Sequence, residues 1–143
     1  MVIRKGVNVV QRQAKSKIPV LLYQYEGTER NIGFTLSPLY MNEDVREIRQ
    51  EDMLFIYDED FKHIRPAINR VFPLTDPRSG EELEAFDPCW DNPIVKKVWA
   101  VVLSELEQVK VAEPELRVFL DSLTVWIRNV LESADGIEIT GNL

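Results

Sequence analysis

Cysteine and histidine, the side chains best suited to nucleophilic and metal chemistry, each occur once in the 143 residues. A thiol attacks as its thiolate, which a neighbouring histidine can generate, so Cys89 and His63 form the candidate nucleophile pair. Cys89 lies between Pro88 and Trp90 in an acid-flanked stretch, and nearby carboxylates disfavour the thiolate. We therefore predict a buried, inert cysteine and no catalytic residue.

A metal site would require more ligands than the chain supplies at short spacing. A structural zinc ion takes about four ligands, whereas the one cysteine and the one histidine lie 26 positions apart. Asp58 and Asp60 precede His63, but acids at a helix start also stabilise the helix dipole. A calcium loop starting at Asp58 would lack the glycine at its sixth position and the glutamate at its twelfth. We expect no metal and no cofactor.

Carboxylates are the abundant reactive groups, with 24 Asp and Glu residues in the chain. A glycosidase-type pair of carboxylates therefore stays open as an alternative, and so does a structural subunit of a larger assembly. The phosphate-binding, dinucleotide-binding and nucleophile-elbow glycine motifs are absent from the sequence.

The acids are concentrated in the middle of the chain. Residues 43–91 hold fourteen acids and six basic residues, a net charge of −8, within a total of −7. This distribution argues against nucleic acid as a ligand, because phosphate contacts need Lys and Arg. It favours a basic protein partner, although acids also serve simply to keep a small protein soluble.

The stretch from Glu81 to Asn92 combines carboxylates with Phe86 and Trp90. Aromatic residues ringed by charge are typical of interface hot spots. The alternative is that both aromatic residues pack inward while the acids are merely solvated. The predicted partner-binding residues are Asp58, Glu59, Asp60, Glu81, Glu82, Glu84, Asp87, Trp90 and Asp91.

The same stretch supports a resemblance. A compact acidic chain in which Phe-Asp-Pro-Cys-Trp-Asp-Asn at residues 86–92 leads into a Trp-bearing helix resembles the small immunity proteins that accompany bacterial toxins. The resemblance implies a non-catalytic, stoichiometric inhibitor that covers the basic active site of a toxin with carboxylates. The expected partner is therefore a basic toxin domain.

Two amphipathic helices are the best-defined elements that position this stretch. The first has Asp91 or Asn92 as its predicted N-cap and an apolar stripe through residues 94–106. The second begins at Glu113-Pro114 and carries an apolar stripe to Leu131. Helices joined by about five residues are expected to pack antiparallel.

The remaining elements predict a small sheet. Residues 18–25 and 32–36 are expected to form a hairpin, residues 53–57 a third strand and residues 137–140 a terminal edge strand. A short helix is expected after Asn42, and Pro66 should divide the helix that follows residue 58. The predicted class is α+β, with a small antiparallel sheet packed against the helical pair.

Length and composition predict a single domain over residues 1–143. No apolar run reaches the 18 residues that a membrane span needs, and no signal-peptide pattern begins the sequence. We therefore expect a cytoplasmic protein that binds no membrane.

Overall fold

The computed structural model describes residues 9–11, 18–26, 32–41 and 47–143. Within them the chain forms eight strands, four α-helices and a short 3-10 helix at Gln50–Asp52. The strands are β1 (Val9–Gln11), β2 (Pro19–Leu21), β3 (Gly33–Leu39), β4 (Leu54–Tyr57), β5 (Leu74–Thr75), β6 (Glu82–Leu83), β7 (Asp91–Val95) and β8 (Gly136–Gly141). The helices are α1 (Asp58–Phe61), α2 (Arg65–Asn69), α3 (Lys96–Gln108) and α4 (Pro114–Leu131).

Six strands form one mixed sheet in the order β1-β2-β4-β3-β8-β7, and β5 pairs with β6 in a separate ribbon. β2 lies parallel to β4, whereas the other neighbouring strands of the sheet run antiparallel. The α+β class is therefore confirmed, but the sheet is mixed instead of purely antiparallel.

The main core lies between one face of the sheet and the helices. Successive side chains of a strand point to opposite faces, and in the three central strands every second one is buried in this core. The indole N–H of Trp99 on α3 donates a hydrogen bond to the carbonyl of Ile137 at 3.1 Å, which ties that helix to β8. The buried strand residues are Phe34, Leu36, Leu54, Ile56, Ile137 and Ile139.

A second, smaller apolar cluster lies on the other side of β4. It contains Val20, Leu22, Phe55 and Tyr57, and the ring of Tyr25 stacks on that of Tyr57 with centroids 3.9 Å apart. All four residues of β4 are therefore buried, two in each cluster.

This burial explains why the predicted hairpin is wrong. β2 and β3 do not pair with each other; each pairs with β4, which lies between them. A strand that is apolar on both faces gains most from an interior position, and the run at residues 53–57 meets that condition.

Two further predictions need correction. Residues 137–140 belong to β8, which is an interior strand between β3 and β7 and not a terminal edge strand. Asp91 and Asn92 do not cap a helix: they begin β7, and α3 begins only at Lys96. Proline is tolerated in edge strands because no ladder hydrogen bond is lost there, and Pro93 accordingly lies in the edge strand β7.

Other local predictions are confirmed. α4 begins at Pro114, Pro66 lies in the first turn of α2 after the short helix α1, and the run at residues 53–57 supplies β4. The short helix expected after Asn42 lies outside the described residues. No helix in the described ranges has both the length and the apolar character needed to cross a membrane.

The buried indole of Trp99 should contribute more to stability than the half-exposed indole of Trp126. Trp99 is 1% exposed, so Trp99→Ala should lower the free energy of unfolding by about 3–5 kcal/mol. Trp126→Ala should cost clearly less, because that ring is only partly buried. Urea unfolding measures both losses, with Val125→Ala on the exposed face of α4 as a control that should stay within about 0.5 kcal/mol. Equal losses for the two tryptophans would contradict this ranking.

Candidate functional site

The loop between β6 and β7 is anchored from inside by Phe86. This side chain is 7% exposed, and its ring lies against those of Phe34, Phe61 and Phe72. The guanidinium of Arg65 lies 5.4 Å from the centre of the Phe86 ring. Phe86 therefore packs inward, as one of the two sequence-based alternatives expected.

The buried side chain of Asn92 holds the rest of the loop. Its amide nitrogen donates to the carbonyls of Asp87, Trp90 and Ile139 at 2.8–3.0 Å, and its Oδ1 accepts the backbone N–H of Asp87 at 2.8 Å. Asn92 is 2% exposed, so water has little access to its side-chain hydrogen bonds. One side chain thus fixes the loop onto β8.

The loop also lies unusually close to the end of β8. A Cβ atom at Gly141 would stand 2.0 Å from the carbonyl oxygen of Pro88, so only glycine fits there. The backbone N–H of Gly141 donates to the carbonyl of Trp90 at 3.3 Å. The backbone of residues 88–90 is therefore held by both a side chain and a strand.

The indole of Trp90 points away from this fixed backbone. It is 71% exposed, more than any other large apolar side chain in the described residues. Trp90 does not join Phe86 in the core. The structure thus divides the two aromatic residues between the core and the surface.

Two predicted acids flank the exposed indole and have defined positions. The Oδ1 atom of Asp91 accepts a hydrogen bond from the Thr140 hydroxyl at 2.8 Å. Asp87 accepts the backbone N–H of Cys89 at 2.9 Å through its own Oδ1. These hydrogen bonds fix the orientation of both carboxylates.

An ion pair connects the β5–β6 ribbon to the main sheet. The guanidinium of Arg78 bonds to Glu138 on β8 and lies 3.9 Å from Asp76 Oδ1. Burial raises the pKa of Glu138, although its hydrogen bond with Arg78 opposes that shift. Asp91 on β7 and Asp76 on the ribbon also raise the pKa of Glu138 through their negative charges.

The ribbon carries three of the predicted site residues. Glu81, Glu82 and Glu84 are all exposed, and two of them follow directly on the turn in which the Gly80 N–H donates to the Asp76 carbonyl. Sequence analysis missed Arg78 and Glu138. The Ile-Glu-Ile-Thr alternation predicts that Glu138 lies on the sheet face opposite the core, but its partner is 60 positions away.

The sheet brings Asp58 and Glu59 to the same end as the loop. Asp58 follows β4 directly and its N–H donates to Ile32, next to Gly33 at the start of β3. The N–H of Gly33 in turn donates to Asn142, just beyond β8, at 2.8 Å. The side chains of Asp58 and Glu59 are both exposed.

Asp60 must be removed from the predicted partner-binding set. Its side chain is completely buried, and its two oxygens accept the backbone N–H groups of Tyr23, Gln24 and Tyr25 at 2.8–3.4 Å. A buried carboxylate requires such donors. Asp60 therefore stabilises the turn after β2 and presents no charge to a partner.

Cys89 and His63 do not form the nucleophile pair. Cys89 is exposed, which corrects the prediction of a buried thiol, and its Sγ lies 3.2 Å from the carbonyl oxygen of Leu143. His63 instead packs edge-on against Tyr23, with ring centroids 5.3 Å apart. Burial lowers the pKa of His63 below its ordinary value, with Lys62 adding to the shift. In the described residues no three His, Cys, Asp or Glu side chains gather as a metal site would require.

No protein-family model, curated protein or solved structure matches this chain.

Removal of the Asn92 amide should loosen the loop. Asn92→Ala removes the hydrogen bonds of this side chain to one backbone N–H and three carbonyls, and each buried group left unsatisfied costs about 1–3 kcal/mol. We expect lower stability and faster hydrogen exchange of the Asp87 and Cys89 amides. Asn92→Asp keeps an acceptor for the Asp87 N–H but sets a carboxylate against three carbonyls, so it should also destabilise at neutral pH. The control is Asn129→Ala on the exposed face of α4; equal effects of the Asn92 and Asn129 variants would contradict the role of Asn92.

Proposed function

We propose that this protein is a non-catalytic inhibitor of the immunity type, which neutralises a basic toxin domain by covering its active site. The proposed contact surface consists of Trp90 with Asp87 and Asp91, the ribbon acids Glu81, Glu82 and Glu84, and Asp58 and Glu59. We call it the acidic surface. Under this proposal the protein acts in the cytoplasm and binds neither nucleic acid nor membrane.

The observation that carries the proposal is the exposed indole of Trp90 on an immobilised backbone. Tryptophan is among the residues that dominate interface energetics, because its ring buries a large area and offers an N–H donor. A loop already fixed by Asn92 and Gly141 loses little conformational freedom when a partner binds. An aromatic side chain held in water in this way is best explained by a contact that covers it.

The charges around Trp90 support a basic partner. Exposed carboxylates lie on the ribbon, on β7 and at the start of α1. Glu138 with Arg78 joins the ribbon to β8, and β8 pairs with β7. Complementary potentials steer two proteins together and discriminate against partners of the wrong charge. A basic active-site cleft is the surface that these exposed acids would match.

Co-expression provides the direct test. A toxin domain encoded beside the gene is expressed alone and together with this protein, and cell growth and formation of a one-to-one complex are measured. Protection together with a complex would support the proposal. A toxin domain that still kills, and that does not bind the purified protein, would contradict it.

Charge reversal on the ribbon should slow association. The triple variant Glu81→Lys, Glu82→Lys, Glu84→Lys should lower the association rate constant roughly tenfold or more at low salt. Electrostatic steering raises the association rate constant of oppositely charged partners by at least about tenfold. The triple variant should also flatten the salt dependence, because screening limits the field to about 8 Å at physiological ionic strength. The control reverses the exposed acids Glu26, Glu47 and Glu132 instead. Equal effects of the two triple variants would mean that the association rate depends only on net charge, which would contradict a specific role for the ribbon acids.

Truncation of Trp90 should act mainly on dissociation. A hot-spot side chain contributes at least about 2 kcal/mol, so Trp90→Ala should raise the dissociation rate constant about 30-fold or more. The association rate constant should change little, because the charges stay in place. Surface plasmon resonance separates the two rate constants, and an unchanged residence time would exclude Trp90 from the interface.

A further inference from the structure

A second feature of the surface lies at the opposite end of β3 from Trp90. There a cavity of about 510 Å³ opens between the end of β3, the 3-10 helix and α4. The volume is within the range of small-molecule sites. The side chains that characterise its lining are Tyr40, Glu47, Arg49, Glu51, Asp52 and Trp126.

Two aromatic side chains contribute to the wall of this cavity. Trp126 on α4 packs against the main core while remaining partly exposed, so part of the indole is available to a ligand. Tyr40, just beyond β3, is also half-buried. The faces of such rings attract cations through their quadrupole, and tryptophan does so most strongly.

The lining residues within the described ranges carry excess negative charge. Among them, the three carboxylates of Glu47, Glu51 and Asp52 oppose one guanidinium, a net charge of −2. The Nε atom of Arg49 lies 3.6 Å from Glu51 Oε1 and 3.7 Å from Asp52 Oδ2. The guanidinium therefore forms ion pairs with two acids of the same cavity. A cavity of this size that joins an indole and a phenol ring to excess negative charge is suited to an organic cation.

We propose that this cavity binds a small organic cation that carries a methylated ammonium group. Its methyl groups would lie against Trp126 and Tyr40, and its charge would be balanced by the carboxylates at the rim. A neutral molecule of the same shape would gain only the apolar contact. This site is separate from the acidic surface, so either proposal can fail without the other.

Choline and its neutral isostere 3,3-dimethyl-1-butanol are the matched probes. In a ¹H–¹⁵N spectrum each of the three tryptophans gives one indole signal, and the Trp126 signal is assigned by its loss in Trp126→Leu. We expect choline to shift the Trp126 signal in a saturable manner and to leave the Trp90 and Trp99 signals in place. The neutral alcohol should produce at most a weak, non-saturating shift.

Variants separate the contributions of the ring and the charge. Trp126→Leu, monitored by calorimetry, should weaken choline binding by about 2- to 30-fold, the range of a cation–π contact. Glu47→Gln is an exposed substitution that should leave folding intact, so the Trp126 signal can still be followed; it should weaken choline binding several-fold. Trp90→Leu is the control at the other end of the sheet and should leave choline affinity within twofold.

Three outcomes would overturn the proposal. Equal shifts by choline and the alcohol would show an apolar groove without charge recognition. A choline response at the Trp90 signal would locate binding elsewhere, and an absence of any saturable shift would exclude the site.

Discussion

The structure depends on the pairing of β8 with β3 on one side and β7 on the other. This strand comes last in the chain and still occupies the interior of the sheet. Its carbonyls accept the indole N–H of Trp99 and the amide of Asn92, so one strand holds both α3 and the loop before β7. Because interior strands have hydrogen-bonded neighbours on both sides, the core and the candidate site form only when the C-terminal strand is in place.

The candidate site depends on the interior position of β8. Phe86 holds one end of the loop in the core, Asn92 satisfies its backbone, and Gly141 lets it lie directly on β8. Such anchoring leaves the indole of Trp90 in water on a backbone with little freedom to move. Preorganisation of this kind lowers the entropy lost on binding, which is why a single exposed aromatic residue can support a specific interface.

The acids of this protein have different physical roles despite their shared chemistry. Asp60 is buried and satisfied by three backbone N–H groups, and Glu138 is partly buried against Arg78. Glu81, Glu82 and Glu84 on the ribbon face solvent instead. Net charge alone therefore overstates the surface available to a basic partner, because burial converts some carboxylates into structural acceptors.

The sequence by itself determined the local elements. The apolar stripe after Pro114 predicts α4, Pro66 predicts the break between α1 and α2, and the composition of residues 53–57 predicts β4. These features depend on neighbours within a few positions, where periodicity and proline geometry decide the conformation.

Only the tertiary structure decided the strand order, the burial of Asp60 and the outward direction of Trp90. The residues before Pro93 were predicted to cap a helix, but pairing with β8 makes them the start of a strand. Pairing, burial and hydrogen-bond satisfaction depend on residues tens of positions apart. Which of these non-local contacts form depends on the energy of the whole folded chain and cannot be determined from any one segment.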